Sequence, residues 1–421
     1  MKITNVSLSV LESDQAVRDF ELIKLHGQER ERWLHSSGVG PQRSTDSSRQ
    51  HEFVLHVDTD EGITGHCTAI SEGVASLTKR DVEQLRGLVL GENPLHREHL
   101  YQKLHQGTRW VYRVAGWAGA FDNCLWDIAG KAADMPVWAL IGRVRESIPA
   151  YLNIRGATIE EAVEDAQAAV SQGFVSTKDH FYHPHRENIL WLTAIRDAVG
   201  PSIDLMHDPV GIYTYDEAVI VGRSLEQLGY RWFEEPIPER SHNRLKQLAS
   251  ELSIPIMANE TLMFDVDISA QWMISGATDL IRYNARTGTT AGLKLAHLAE
   301  LHGTNVEFNG NGGLWGLVHA HLLCSIQNTS YYEYFPGGWH DETGKSMGMT
   351  NPVTPIKGRI SPPDGPGWEP SGTGIYSTDA SWKCGTEIDR KRNDKCAYSE
   401  SCEGKKLRTS KTGHVSRVDG P

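Results

Sequence analysis

Residues 232–236 have the sequence WFEEP, and Glu234, the first acid of this stretch, is flanked by two other acids at equal separation. Asp208 and Glu260 each lie 26 residues from Glu234, and each ends a short apolar run. A repeat of about 25–30 residues, with a short strand and then a helix, is typical of a (β/α)8 barrel. The carboxyl ends of parallel strands meet at the barrel mouth, so we expect the three carboxylates to converge there. Three oxygen ligands of this kind suit Mg²⁺, which keeps its other octahedral positions for water and substrate.

The spacing of these acids continues along residues 148–336. Eight short apolar runs recur at steps of 24 to 28 residues, with segments of helical periodicity between them. An internal repeat of this kind favours a barrel over a doubly wound open sheet. No segment of comparable helical periodicity follows the eighth run. Residues 337–367, which are rich in Pro and Gly, are predicted to lead the chain back to the amino-terminal unit. The predicted strand ends are Asn153, His180, Asp208, Glu234, Glu260, Asn284, Asn309 and Glu333.

Residues 1–147 do not carry this repeat and predict a separate α+β unit. Alternating apolar residues predict a first strand over 1–15, and a polar excursion follows it to about residue 50. The predicted hairpin strands are His51–Asp58 and Ile63–Ile70, and the predicted helices lie near 76–90, 94–106 and 116–134.

Residues 368–421 lose apolar periodicity and are rich in Ser, Thr, Lys, Arg and Gly. This composition predicts a disordered tail that carries no chemistry. Truncation at Gly367 is therefore expected to leave the melting temperature nearly unchanged.

The composition excludes several classes of protein. A formal net charge of −12 argues against a nucleic-acid-binding surface. No apolar run approaches the roughly 18–20 residues of a membrane span, and the first residues lack the apolar core of a secretory signal. The six cysteines, which lack zinc-ligand spacing, indicate free thiols in a reducing compartment. We expect a cytoplasmic homo-oligomer that binds neither nucleic acid nor membrane.

Several motifs in order along the chain point to a known family. The helix sequence LWDIAGKA at 125–132 is followed by PVWALIG at 136–142, and then by HDP, WFEEP and NET on successive predicted strands. Over residues 1–366, this pattern resembles the mandelate racemase-like branch of the enolase superfamily. The resemblance implies a modified (β/α)7β TIM-type barrel, with the amino-terminal α+β unit as a capping domain. It also implies that Mg²⁺ is held by Asp208, Glu234 and Glu260, whereas Glu235 should point away from the mouth by strand alternation.

The resemblance also assigns roles on the second and eighth strands. The chemistry of the family is abstraction of a proton α to a carboxylate. Lys178 and His180 match the family's Lys-x-Lys element and should both face the mouth, because residues two apart on a strand share a face. By position, Lys178 would contact the substrate carboxylate and His180 would be the base, although Lys178 stays open as the base. Glu333 matches the acid that hydrogen-bonds the substrate carboxylate. Alternatively, His180 is one of several surface histidines.

The sixth and seventh strands depart from the family pattern. Many relatives have an Asp and a His there, which form a dyad that acts as base or acid on the opposite face of the substrate. Asn284 and Asn309 occupy these positions here. An amide can bind a hydroxyl or an enediolate but cannot take a proton, so we assign both residues, together with Arg282, to substrate binding.

Three functions are compatible with these residues. The first is an acid-sugar dehydratase, a Mg²⁺-dependent hydro-lyase that removes the α-proton, eliminates the β-hydroxyl and forms a 2-keto-3-deoxy acid. The second is a racemase, epimerase or cycloisomerase of a carboxylate substrate, for which the missing dyad removes the usual second proton donor. The third is a non-catalytic descendant that binds a metal and an acid ligand. Retention of Lys178, Glu333 and the three acids favours the dehydratase.

Overall fold

The computed structural model describes residues 1–16, 49–70, 77, 79–310, 314–335, 345 and 349–371. Most of the predicted polar excursion before residue 50 lies outside the described residues. The predicted tail lies outside them from residue 372 onward.

The amino-terminal unit is an antiparallel sheet covered by helices, as the sequence predicts. Its three strands are hydrogen-bonded in chain order, and the third helix is buried along most of its length against the hairpin. Gly65 permits this close approach, because a Cβ there would lie 2.2 Å from the carbonyl oxygen of Cys124. The elements are β1 (Ile3–Ala16), β2 (Arg49–Thr59), β3 (Thr64–Ile70), α1 (Lys79–Val89), α2 (Arg97–Val111), a 3₁₀ turn (Ala115–Ala118), α3 (Gly119–Ala133) and α4 (Val137–Ile141).

Eight parallel strands follow and form one sheet, in which the first seven are neighbours in chain order and the eighth lies beside the first. The backbone N–H of Val306, at one end of this sheet, donates to the carbonyl of Asn328, just before the strand at the other end, over 3.0 Å. The strands are β4 (Ile148–Asn153), β5 (Ser176–Asp179), β6 (Asp204–His207), β7 (Trp232–Glu234), β8 (Ile256–Ala258), β9 (Leu280–Tyr283), β10 (Val306–Phe308) and β11 (Tyr332–Tyr334).

A helix joins each of these strands to the next. The side chain of Thr158 caps the amino terminus of the first helix, and Thr214 and Glu217 form a capping box at the third. The helices are α5 (Ile159–Ser171), α6 (His185–Val199), α7 (Tyr215–Leu228), α8 (His242–Glu251), α9 (Val266–Ile274), α10 (Thr289–Leu301) and α11 (Leu314–Leu323). The predicted (β/α)7β barrel with an α+β capping unit is therefore confirmed, and each predicted strand end agrees with the structure to within two residues.

Strand alternation divides the barrel interior into layers. Tyr151, Met206, Trp232, Met257 and Tyr331 pack together, with Leu280 against them, and form an apolar floor. Residues two positions further along these strands face the same interior but lie closer to the mouth. Almost all of these second-layer residues are polar or charged, so the floor seals a polar site from below.

The capping unit is attached to the barrel by side chains of α3. Gly288, which precedes α10, has no side chain with which to cap that helix, and α3 supplies the acceptors. Asp122 Oδ2 accepts from the backbone N–H of Thr290 over 2.7 Å, and Asn123 Oδ1 accepts from that of Thr289 over 2.9 Å. Asn123 Nδ2 also donates to the carbonyl of Ala285 over 2.7 Å. These bonds fix the cap beside the loop that follows β9.

The chain returns to the cap after the last barrel strand. A short strand, β12 (Arg359–Ile360), pairs with β4, and Trp368 is fully buried further on. The indole N–H of Trp368 donates to the carbonyl of Asn123 and its backbone N–H donates to Asp127 Oδ1, both over 3.0 Å. The prediction that the tail begins at residue 368 is therefore wrong, because a contact distant in sequence orders Trp368.

Among the described residues, no helix is both long enough and apolar enough to cross a membrane.

Trp368 gives a test of the revised boundary. A chain ending at Gly367 should lose about 3–5 kcal/mol of unfolding free energy relative to the full chain, because it lacks a buried indole and its two hydrogen bonds. A chain ending at Ser371 is the matched control and should unfold like the full chain. Urea denaturation measures all three, and equal stability of the two truncated chains would contradict the packing of Trp368.

Candidate active site

Lys178 lies at the centre of a cluster of buried acids in the second layer of the barrel. Its Nζ is 3.0 Å from Asp208 Oδ2, 3.0 Å from Glu234 Oε2 and 2.9 Å from Glu333 Oε1. All four side chains are at most 3% exposed. Three strand ends therefore supply carboxylates to one ammonium, as the alternation of β5, β6, β7 and β11 predicts.

Arg282 is a second cation of this cluster. Its Nε is 2.9 Å from Glu234 Oε1 and 3.4 Å from Glu260 Oε2, and its Nη2 is 2.9 Å from Glu333 Oε2. Nη2 also donates to the hydroxyl of Tyr151 over 3.0 Å. The guanidinium is fully buried, and Nη1 makes no hydrogen bond with any described residue. Arg282 therefore compensates the acids from within the barrel, and its predicted contact with substrate stays a prediction.

The cations change how the buried acids ionise. Burial would raise the pKa of Asp208, but Lys178 and His180 hold it well below its usual range. Burial would likewise raise the pKa of Glu333, and Arg282 and Lys178 hold it low. Glu234 behaves differently: burial raises its pKa to about 7 in spite of Arg282, and the neighbouring charge of Asp208 adds to the rise. At Glu234, burial thus outweighs the effect of the cations on the pKa.

The donor set of this cluster fits a hard divalent cation. Four carboxylates, from Asp208, Glu234, Glu260 and Glu333, face two permanent cations, which leaves two negative charges in excess when all the acids are ionised. Oxygen donors of this kind suit Mg²⁺. In the described part of the chain, however, no three His, Cys, Asp or Glu side chains are placed so as to hold a metal ion together. The acids are arranged around Lys178 and Arg282 instead, and the metal site stays a prediction.

His180 lies above Lys178 on the mouth side. Its Nε2 is 3.2 Å from Asp208 Oδ2, its ring stacks on Phe335 at 5.9 Å between centroids, and its side chain is 25% exposed. Unlike Lys178, it is reached by solvent. It is therefore placed to meet a molecule that enters the mouth, in agreement with its predicted orientation.

Asn284 and Asn309 contact each other across β9 and β10. Asn284 Nδ2 donates to Asn309 Oδ1, and Asn284 Oδ1 accepts from the backbone N–H of Arg286 over 2.8 Å. The backbone N–H of Gly310, next to this pair, donates to Glu333 Oε2 over 2.7 Å. The structure therefore brings together the two amides that stand where the family resemblance predicts an acid–base dyad, and connects them to the cluster through Gly310 and Glu333.

Glu235 directly follows β7 and Asn259 directly follows β8. Their backbone φ angles are 41° and 87°, in the left-handed region that non-glycine residues rarely adopt. The expectation that Glu235 points away from the mouth rests on strand alternation. Since β7 ends at Glu234, this alternation does not extend to Glu235. Glu235 is buried, and its pKa is raised by burial and then by the charges of Glu239 and Glu260. Backbone strain is thus concentrated beside the acids.

Three residues that support the cluster are not predicted as site residues by the sequence, which places Asn153 only at a strand end. Glu239 accepts from the backbone N–H of Thr261 over 2.8 Å and from that of Glu260, and so fixes the loop that carries Glu260. Asn153 Nδ2 donates to Glu333 Oε1 over 3.3 Å, and Tyr151 contacts Arg282. Tyr151 and Asn153 alternate on β4 and could have been found from that pattern, whereas Glu239 lies in a loop and has no such signal.

A cavity of about 410 Å³ lies between the cap and the barrel. Thr261, Phe264, Arg286 and Trp315 line it from the barrel, and Trp117 from the cap. Thr261 directly follows Glu260, so the cavity adjoins the mouth. Its volume and its mixed aromatic and polar walls suit a small polar molecule.

Two family models match the chain. The one described as mandelate racemase / muconate lactonizing enzyme, N-terminal domain, matches residues 40–142. The one described as enolase C-terminal domain-like matches residues 161–369. The two matches fall on the cap and on the barrel with its return, and together they cover more than half of the chain.

Individual proteins resemble the chain at low identity. Arabinonate dehydratase of Saccharolobus solfataricus is 29% identical over 285 residues, which is 65% of this chain and 76% of that protein. D-galactarolactone cycloisomerase of Agrobacterium fabrum is 26% identical over 344 residues, 76% of this chain and 88% of that protein. The solved structure of D-glucarate dehydratase from Agrobacterium tumefaciens complexed with magnesium has a TM-score of 0.73 and 28% identity, covering 88% of this chain and 97% of that one.

The contacts of Lys178 predict a large effect on stability. In metal-free buffer, Lys178→Met should lower the unfolding free energy by about 3–5 kcal/mol, because three buried carboxylates lose a shared cation. Lys294→Met is the matched control, since it removes an exposed ion pair with Glu98, and it should change stability by less than about 0.5 kcal/mol. Urea unfolding in a chelator measures both. A Lys178 variant as stable as the wild type would show that the acids do not need this charge to remain buried.

Proposed function

The chain belongs to the mandelate racemase-like branch of the enolase superfamily, and on this basis we propose that it is a Mg²⁺-dependent hydro-lyase that dehydrates an acid sugar to a 2-keto-3-deoxy acid. The observation that carries this proposal is the unequal chemistry of the two sides of the mouth. Lys178 and His180 lie on one side, whereas the other side offers the amides of Asn284 and Asn309. Proton abstraction would therefore occur on one face of the substrate only.

The metal would be held by Asp208, Glu234 and Glu260. The excess negative charge of the cluster supports this assignment, and a bound Mg²⁺ would stabilise the negative charge that develops on the substrate carboxylate. The buried Lys178 would offer its ammonium to the same carboxylate. Glu333, held by Arg282 and Gly310, would orient that carboxylate through a hydrogen bond.

The imidazole of His180 would take the α-proton. Its exposure at the mouth and its contact with Asp208 support this role, because a nearby carboxylate orients and stabilises the imidazolium that forms. As the β-carbon–oxygen bond breaks, the imidazolium can return its proton to the departing hydroxyl, which leaves as water. The enol product then tautomerises to the 2-keto-3-deoxy acid. Asn284 and Asn309 would bind hydroxyl groups of the substrate.

A cycloisomerase is the second candidate, because D-galactarolactone cycloisomerase is among the similar proteins. Such a reaction would use the same one-sided proton abstraction and would expel a different oxygen of the substrate. The two candidates differ in their products, since the dehydratase releases water and the cycloisomerase conserves the formula of its substrate. Screening aldonic acids, aldaric acids and their lactones by mass spectrometry separates them.

The proposed base gives a test in D₂O. The wild type should incorporate deuterium at the α-carbon of one substrate enantiomer only, and His180→Asn should lose the incorporation by about 10²–10⁴-fold, the usual contribution of a general base. Asn309→Ala is the comparison variant and should lose less, because it removes a hydrogen bond and no proton acceptor. NMR measures the exchange. Full exchange by His180→Asn would favour Lys178 as the base, and exchange of both enantiomers by the wild type would favour a racemase.

The proposed metal ligands give a separate test. Glu234→Gln should weaken Mg²⁺ binding by at least about 100-fold, which exceeds the usual effect of residues that only support a ligand. Glu307→Gln is the matched control, since Glu307 is a buried acid of β10 that bonds to Ser330 and Asn305. Isothermal calorimetry measures both affinities. Unchanged affinity in Glu234→Gln, or no Mg²⁺ binding by the wild type, would contradict the proposed metal site.

A further inference from the structure

We propose that four buried polar side chains on the outer face of β5 and β6, here called the outer clamp, position the residues of the mouth that transfer the proton. The outer clamp consists of Asp179, His207, Tyr213 and Asn188. It lies between the strands and the helices, and it does not face the barrel interior. The proposal rests on the proposed function, because it assigns to the outer clamp the alignment of Lys178 and His180 with Asp208.

The contacts of the outer clamp are short and buried. Asp179 and His207 are direct partners in the register of β5 and β6. His207 Nδ1 is 2.7 Å from Asp179 Oδ1, and His207 Nε2 is 3.0 Å from the hydroxyl of Tyr213. Asp179 and His207 are 2% and 0% exposed. The ring of His207 also stacks on Phe233 at 5.7 Å between centroids, so its orientation is fixed on both its edge and its face.

The outer clamp continues into the loops that follow both strands. Asn188 Nδ2 lies 2.5 Å from the hydroxyl of Tyr213, in the loop after β6, and 3.0 Å from the carbonyl of Phe181, in the loop after β5. Asp179 Oδ1 accepts from the backbone N–H of Phe181 over 3.2 Å. The loop that follows His180 and the loop that follows Asp208 are therefore fastened to each other by the same four side chains.

Each residue of the Asp179–His207 pair is next in sequence to residues of the mouth. Asp179 lies between Lys178 and His180, and His207 immediately precedes Asp208. Since adjacent residues of a strand point to opposite faces, the Asp179–His207 contact outside the barrel matches the contacts of Lys178 and His180 with Asp208 inside it. A shift between the two strands would alter both sets of contacts together.

The chemistry of the outer clamp suits alignment better than packing. Apolar side chains would fill the space between sheet and helices without the desolvation of four polar groups. A fully bonded polar network instead has directional contacts that permit one arrangement of its members. We infer that the directionality is used to hold His180 and Asp208 within the narrow range of geometry that proton transfer requires.

The test compares two buried tyrosines. Tyr213→Phe removes the hydroxyl that joins His207 to Asn188. Tyr230→Phe is the matched control, because its hydroxyl donates to the carbonyl of Leu192 over 3.1 Å and not to a member of the outer clamp. The two variants should lose similar unfolding free energy. Only Tyr213→Phe should lower kcat, by about 10-fold with KM nearly unchanged, and weaken Mg²⁺ binding by about 10-fold.

A second variant strengthens the comparison. His207→Gln should lower kcat by about 10–100-fold, and adding Tyr213→Phe to it should cause little further loss, since both changes break one network. If His207→Gln does not fold, the comparison of Tyr213→Phe with Tyr230→Phe still tests the role of the outer clamp. The outer clamp is refuted if Tyr213→Phe keeps both kcat and Mg²⁺ affinity within twofold of an active wild type, or if Tyr230→Phe loses as much. A wild type that neither binds Mg²⁺ nor exchanges an α-proton refutes the proposed function, and the role of the outer clamp with it.

Discussion

The contact of one buried ammonium with three buried carboxylates is the constraint on which the rest of the barrel mouth depends. Ionised acids whose side chains are at most 3% exposed are stable only beside cations. Lys178 is the cation that Asp208, Glu234 and Glu333 share. Arg282 supplies a second charge from β9. The apolar floor of Tyr151, Trp232 and their neighbours keeps water from reaching this cluster from below. Loss of either cation would leave charge uncompensated in the barrel, and loss of the floor would admit water to the cluster.

The cap is attached beside the mouth. Asp122 and Asn123 bind the amino terminus of α10, and Asn123 also binds the carbonyl of Ala285, next to Asn284. The same helix α3 receives Trp368 from the carboxyl-terminal return. One cap helix thus fixes the loop that carries a proposed substrate-binding residue and the last described segment of the chain. The stability of the fold and the shape of the cavity therefore both depend on α3.

Sequence patterns predicted the parts of the site that follow from strand periodicity. The recurrence of strand ends identified Asp208, Glu234 and Glu333, and the alternation on β5 placed Lys178 and His180 on one face. Other features depend on contacts between distant residues and carry no local signal. Arg282 pairs with acids of two other strands, Glu235 leaves the strand pattern through a left-handed backbone, and Trp368 is ordered only because α3 offers it acceptors. The loop residue Glu239 escaped prediction for the same reason.

The two sides of the mouth differ in what their residues can do with a proton. On the side of β9 and β10, Asn284 and Asn309 hydrogen-bond to each other, and neither amide can accept a proton at neutral pH. On the side of β5 and β6, His180 contacts Asp208 at the surface of the buried cluster. In the proposed mechanism His180 takes the proton, and its position relative to Asp208 is the critical distance of the site. The shared register of Asp179 with His207 sets that distance from outside the barrel, where neither substrate nor metal would disturb it.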